Sequence, residues 1–289
     1  MNAPAAERIT AFDCAVGESP VWRASEGALY WVDIPKRLVH RLDLKSGGAP
    51  ECWKTDEMVA CIAFDRQGGL IAGMQTGIFS LQLAPGGAVF ATRLAAPRFA
   101  MDDMRFNDGR CDRQGRFWAG TMHMDMAAGH AVGCLYRYDA TAGLSQPVQE
   151  GLYTQNGLAF SPDGARMYLS DSHPKARVIW CFEYDIDAGL PRGRRVFVDM
   201  RDQPGRPDGA AVDADGCYWT CANDGGRVMR FTPQGKLDRH VDVPVPKPTM
   251  CAFGGPGLET LYVTSIAGPV FAVHPGVRGL PEPEFGAVR

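Results

Sequence analysis

Positive charge, apolar length and paired cysteines are all scarce in this sequence. The 30 Lys and Arg are outnumbered by 33 Asp and Glu, for a net charge of −3. No basic field exists to hold nucleic acid or an anionic membrane, so neither is expected as a partner. No apolar run reaches the ~20 residues of a membrane-spanning helix. The opening residues Met1–Arg8 carry no apolar signal core, so a cytoplasmic location is expected. The nine cysteines are odd in number and include no Cys-x-x-Cys pair. They read as reduced, mostly buried thiols. Cys217 and Cys221 share one strand face without further soft ligands, so core packing is expected of them. Linkers and low-complexity tracts are also missing, and residues 1–289 are expected to form one domain.

Strand and turn signals are abundant, and they repeat. Leu29–Val32, Leu70–Ala72, Arg116–Ala119, Met167–Leu169, Cys217–Thr220 and Leu261–Val263 recur at intervals of roughly 40 to 50 residues, the spacing of four-stranded propeller blades. Most are preceded by a turn such as Asp112-Arg113-Gln114-Gly115, Ser161-Pro162-Asp163-Gly164 or Asp213-Ala214-Asp215-Gly216. In such turns Asp caps the loop and Gly supplies φ > 0. A third apolar or alternating segment follows, as in Gly133–Tyr138 and Val178–Tyr184. Six such units predict an all-β fold, a six-bladed β-propeller with four-stranded antiparallel blades around a central channel. Trp31, Trp118 and Trp219, in the recurring strands, are expected to pack between blades.

Four polar residues open the strand before each of four such turns. They are Glu18 in Glu18-Ser19-Pro20-Val21-Trp22, Asn107 in Asn107-Asp108-Gly109, Asn156 in Asn156-Gly157-Leu158, and Asp208 in Asp208-Gly209-Ala210. Each lies about ten to twelve residues ahead of the recurring strand, which reads as one shared phase of the repeat. Equal phase predicts convergence at one mouth of the channel. The ends of the recurring strands return to the same face, bringing Asp33, Met122–Asp125, Asp171–His173 and Asn223-Asp224 there too. Glu18, Asn156 and Asp208 offer three oxygen ligands and two negative charges, which need a cation to neutralise them. Hard oxygen donors fit Ca²⁺, Mg²⁺ or Mn²⁺. Fe²⁺ and Zn²⁺ stay open as identities of the single divalent cation expected. Three protein ligands leave positions for water and substrate.

The whole chain resembles the SMP-30/gluconolactonase family. The resemblance rests on Gly17–Trp22, Arg105–Gly109 with Gly115–Met122, Asn156–Gly164 and Pro207-Asp208-Gly209, in the family's order. It implies a six-bladed propeller with one divalent cation held by Glu18, Asn156 and Asp208. It also implies hydrolysis of sugar lactones, with Arg105 and Asn107 as substrate contacts. A carboxylate after the Gly-Thr-Met segment contacts sugar hydroxyls in the family, which points to Asp125, shorter than the glutamate of relatives.

The chemistry expected is the opening of an aldonolactone such as xylonolactone or gluconolactone. Asp208 is the catalytic base expected for the attacking water, and Arg105 offers a rigid fork of donors to the substrate. Asp108 alternates with Asn107 and is expected to support the site from behind. His123 and His173 are read as structural hydrogen-bonders. A monomer acting on a small sugar lactone is the default. Two alternatives remain open on sequence: a non-enzymatic metal-binding or interaction propeller, and a phosphotriesterase-type hydrolase on the same fold.

Overall fold

The computed structural model describes residues 5–286. Among the described residues all regular structure is strand, apart from three one-turn 3-10 helices at Pro85–Gly87, Met126–Ala128 and Pro256–Leu258. The strands form four- and five-stranded antiparallel sheets, and one larger sheet in which two four-strand ladders join. Each ladder is a meander of antiparallel strands. The first strands of successive meanders are Cys14–Arg23, Val59–Phe64, Met104–Cys111, Gln155–Phe160, Arg206–Val212 and Pro248–Gly254. Their partners are Ala28–Asp33, Leu70–Met74, Phe117–His123, Arg166–Asp171, Tyr218–Asn223 and Thr260–Gly268. The recurring segments expected from sequence overlap these partners in every case.

Most first strands are buried almost end to end, as strands covered on both faces must be, while Cys14–Arg23 alternates buried and half-buried stretches. They adjoin in a closed order, each against the next, with Pro248–Gly254 returning to Cys14–Arg23. The turn aspartates lock the meanders together. Asp112 is fully buried and its Oδ2 accepts from Arg116 Nε at 2.6 Å, Trp118 Nε1 at 3.3 Å and, from the next meander, Tyr184 Oη at 2.6 Å. Asp213 accepts from Trp219 Nε1 at 2.8 Å and Arg230 Nε at 2.7 Å. Hydrogen bonds to a charged group contribute roughly 1.5–3 kcal/mol each, so these aspartates anchor the packing as well as the turns. Trp31, Trp118 and Trp219 are fully buried.

The last meander takes its outer strand from the other end of the chain. Glu7–Arg8 pairs with Phe271–Val273, and Cys14 and Val16 pair with Gly268 and Ile266. Residues 279–286 then run across the C-terminal ends of the first strands. Phe285 is buried beside Phe117 and Tyr136. Glu282 pairs with Arg110 at 3.2 Å, Glu284 with Arg23 at 2.9 Å, and Arg113 Nη1 donates to Pro281 O at 3.2 Å. This strap covers the end of the first strands opposite to Glu18, Asn107, Asn156 and Asp208.

Candidate functional site

One irregularity recurs in the first strand of every meander. The ladder shifts by one residue between Glu18 and Val21, Val59 and Cys61, Phe106 and Gly109, Asn156 and Ala159, Pro207 and Ala210, and Pro248 and Cys251. Each shift is a β-bulge, which leaves residues out of the ladder and re-aims their side chains. The register corrects the expectation of a single shared phase. Glu18 and Asn156 are the last paired residues before the bulge, opposite Val32 and Ser170. Asn107 and Asp208 lie one position later, as the first unpaired residues within it. In a regular strand adjacent residues face opposite sides; the bulge suspends that alternation, so two successive positions serve one site.

The backbone matches this division. Ser19 and Gly157, the residues after Glu18 and Asn156, have φ of 50° and 61°. Gly157 needs that freedom, and a Cβ there would also meet Ser170 Oγ and Tyr218 Oη within 2.5 Å. Ser19 is held in this uncommon region for a non-glycine residue. Its hydroxyl accepts from Ile62 N at 2.9 Å on the neighbouring first strand.

Burial and charge tie the cluster together. Glu18 is held well above the usual carboxylate range, first by desolvation and then by Asp208 and Asp108, against the Ser19 N–H and Arg105. Asp208 is raised to about 7 by burial, opposed by the hydrogen bond from Asn223 and the charge of Arg206. Burial lowers Arg105 to about 10, while Glu18 and Asp208 favour its charged form. Two carboxylates that raise their own proton affinity beside an arginine form a site short of positive charge.

The amides are oriented by their donors. Asn156 Nδ2 donates to Ser172 Oγ at 2.7 Å, and Ser172 Oγ donates to Pro207 O at 2.5 Å. This leaves Asn156 Oδ1 buried with no hydrogen-bond partner. A buried acceptor without a partner costs about 1–3 kcal/mol, and a cation would satisfy it. Glu18, Asp208 and Asn156 Oδ1 therefore fit a hard divalent ion by donor chemistry. Asn107 uses both ends of its amide, accepting from Arg105 Nη1 at 2.8 Å and donating to Gln155 O at 2.7 Å. It holds Arg105 in place. Asp108 accepts from Leu158 N at 2.8 Å across to the next first strand, while its other oxygen is buried without a partner.

Other expected residues stand elsewhere or do other work. Asp33 and Asp171 are not ligands at the cluster; their carboxylates accept from backbone N–H groups, Ala15 and Val16 for Asp33, Tyr153 and Thr154 for Asp171. Asp125 is exposed and caps its own 3-10 turn, accepting from Ala127 N at 2.9 Å; no contact among the described residues joins it to Glu18 or Asp208. His173 is buried, with Nε2 donating to Met126 O at 3.0 Å and Nδ1 accepting from Lys175 N at 3.2 Å. That pattern gives it a structural role, and it pins the turn that carries Asp125. His123 contacts only Asp125 O at 3.1 Å and the edge of His130. Sequence reasoning passed over Arg206, Ser172 and Asn223 as individual side chains. Their signal was proximity: Arg206 directly precedes Pro207-Asp208, Asn223 ends its partner strand and Ser172 directly follows one.

Residues 16–267 match the model of the SMP-30/Gluconolactonase/LRE-like region. A 6-deoxy-6-sulfogluconolactonase of Pseudomonas putida is 39% identical over 285 residues, 93% of this chain and 94% of that protein. A pentonolactonase of Haloferax volcanii is 36% identical over 261 residues, 90% of this chain and 85% of that protein. The solved structure of a calcium-binding protein, regucalcin, from Agrobacterium tumefaciens superposes with a TM-score of 0.89 at 26% identity, covering 99% of this chain and 100% of that one. The chain belongs to the SMP-30/gluconolactonase/LRE-like family.

Proposed function

We propose that this protein is a sugar lactonase, a carboxylic ester hydrolase that opens aldono-1,4- or 1,5-lactones to the aldonic acids, using one divalent cation held by Glu18, Asn156 and Asp208. The observation that supports the reading is the electrostatic coupling of the half-buried Glu18 and the buried Asp208, both raised in proton affinity, with Arg105, together with the buried, unpaired amide oxygen of Asn156. The six meanders are read as six blades of one propeller, with the bulges lining one mouth of its channel and the strap closing the other. The names of the two lactonases described above support a sugar lactone as substrate, a pentonolactone or gluconolactone foremost.

A divalent cation in this setting polarises an ester carbonyl and acidifies water. The chain's own groups do the rest. Asp208 is assigned as the base: Asn223 occupies its Oδ2, which leaves its remaining lone pairs for the cation and for a proton from water. Arg105, fixed by Asn107 and still charged at neutral pH, presents donors to the lactone's carbonyl or hydroxyls. The burial of the cluster strengthens these interactions by excluding bulk solvent. Asp125, at the exposed rim, is assigned to outer sugar hydroxyls, a role that requires it to leave its capping position.

A panel of sugar lactones and unsubstituted lactones, assayed on chelator-stripped and metal-restored protein, tests the reading. The expected result is turnover of sugar lactones that vanishes on stripping and returns with a divalent ion. Equal turnover of an unsubstituted lactone would remove the assigned roles of Arg105 and Asp125, and activity untouched by stripping would remove the cation.

A further inference from the structure

A second cluster of ligand atoms lies away from this site. Asp33 and Asp171 occupy the same ladder position, opposite Gly17 and Gln155, and cap equivalent backbone N–H groups. The fold thus explains the carboxylate, but not what surrounds it. In the fourth meander the flanking positions are Leu152 and Trp180, which is paired with Leu169. In the first meander they are Cys14 and His40, the latter paired with Trp31. One ligand atom from each of Cys14, Asp33 and His40 lies within 4.8 Å of the other two, and all three residues are buried.

His40 is the group the fold leaves unsatisfied. Its Nε2 is buried with no hydrogen-bond partner. Its ring is clamped against Trp31, at 5.0 Å and 17°, and against Phe12 at 5.2 Å. Cys14 Sγ accepts from the Trp31 indole N–H at 3.4 Å. Asp33 accepts from two backbone N–H groups and from Lys36 Nζ at 3.2 Å, which leaves one of a carboxylate's roughly four acceptor positions.

We infer that Cys14, Asp33 and His40 form a zinc-class metal site, separate from the Glu18–Asn156–Asp208 cluster, that ties together three strands of the first meander beside its seam with the last. A thiolate, an imidazole and one carboxylate are the donor mixture of Zn²⁺ rather than of Ca²⁺ or Mg²⁺. Bonds of roughly 2.0–2.3 Å to four-coordinate zinc set ligand atoms about 3.3–3.8 Å apart, a spacing compatible with three atoms that lie within 4.8 Å of one another. Burial holds His40 down to about 4, so its imidazole is neutral and has a lone pair to give. Burial pushes the Cys14 thiol up to about 11; metal binding therefore releases the thiol proton to solvent. The location gives the ion a role. Cys14 pairs with Gly268 and packs with Tyr262 and Val270, where the two ends of the chain meet. An ion bound only by the folded first meander stabilises that meander, and with it the edge that receives Gly268 and Ile266, by mass action.

Co²⁺ is the probe, because a cysteine ligand gives it a near-ultraviolet sulfur-to-cobalt absorption that oxygen ligands do not. Chelator-stripped wild type and Glu18→Gln should both develop this band on Co²⁺ titration. Cys14→Ala should lose it, and His40→Phe, which keeps the stacked ring, should weaken apparent Co²⁺ affinity at this band at least tenfold. Absence of the band in wild type, or an undiminished band in either folded variant, overturns the assignment. If Cys14→Ala fails to fold by circular dichroism, His40→Phe alone decides.

Discussion

Asn223 donates from Nδ2 to Asp208 Oδ2 at 2.7 Å, while its own Oδ1 accepts from Arg206 Nη2 at 3.1 Å. Arg206 is anchored in turn by Asp224 at 2.8 Å. One oxygen of Asp208 is therefore spoken for, and its orientation is set two residues away from the chemistry. Replacing Asn223 by Leu keeps its bulk and removes the donor. We expect a loss of roughly 10- to 100-fold in activity or metal affinity, the range for partners that orient a ligand. Steady-state kinetics with calorimetric metal titration reads it; wild-type values in both would show that Asp208 needs no such support.

The division of labour between Asp208 and Arg105 is separable. Asp208→Asn retains a coordinating oxygen but accepts no proton, so kcat should fall by roughly 10² to 10⁴ with some metal retained. Arg105→Ala should lower kcat/KM most and kcat less, since it positions substrate. A near-normal kcat in Asp208→Asn, measured on folded metal-loaded protein, would place the base elsewhere.

Metal affinity should follow the oxygen donors. Glu18→Ala removes one charge and Asn156→Ala removes the unpaired amide oxygen. Each is expected to weaken divalent-ion binding at least tenfold while leaving the thermal midpoint of the stripped protein unchanged or raised, because an unfavourably buried group has gone. Unaltered calorimetric affinity in either variant would strike that residue from the ligand set.

Stripped protein should lose stability as pH rises. Asp208 is raised to about 7 in the folded state from 3.8, and Glu18 is raised as well. A carboxyl raised on folding binds its proton more tightly folded than unfolded. Its contribution is complete below the unfolded value and declines as pH climbs through the folded one. Chelated protein is thus expected to melt lower at pH 8 than at pH 6, and a saturating divalent cation should reduce the difference. A melting temperature that is flat or rising over this interval without metal would mean that the two carboxylates are not strained by burial.

The strap should matter for stability rather than for chemistry. Phe285 is buried at the end of the first strands remote from Asp208. Phe285→Ala is expected to cost about 3 kcal/mol or more, as for other large core truncations, with kcat little changed at low temperature. Denaturant unfolding and kinetics on one preparation would show whether the two effects separate.

The repeat was legible because it rests on local chemistry. The Asp-x-x-Gly turns and the Trp and Tyr of the partner strands carry their reasons within a few residues, and Asp112 and Asp213 cap as expected. The phase of Glu18, Asn107, Asn156 and Asp208 was less legible. A bulge shifts register by one residue, and a first strand buried on both faces has no polar–apolar alternation to betray the shift. Asp33 misled for a similar reason: a carboxylate at a strand end serves ligands and backbone N–H groups alike, and the choice is made by a chain segment eighteen residues away. Asp125 is claimed by its own turn, a local competitor that sequence resemblance does not weigh.

The borrowed outer strand of the last meander also sets an order of events during synthesis. Glu7–Arg8 leaves the ribosome about 260 residues before its partner Phe271–Val273. At ~5–20 residues per second the first strand waits roughly ten to fifty seconds for its mate. Throughout that interval Cys14 and Val16 also lack Gly268 and Ile266, so the first meander presents an open sheet edge. Open edges are templates for pairing with other chains. The nascent protein is therefore most exposed to wrong partners at the seam, and only synthesis of the segment from Ile266 to Val273 ends that exposure.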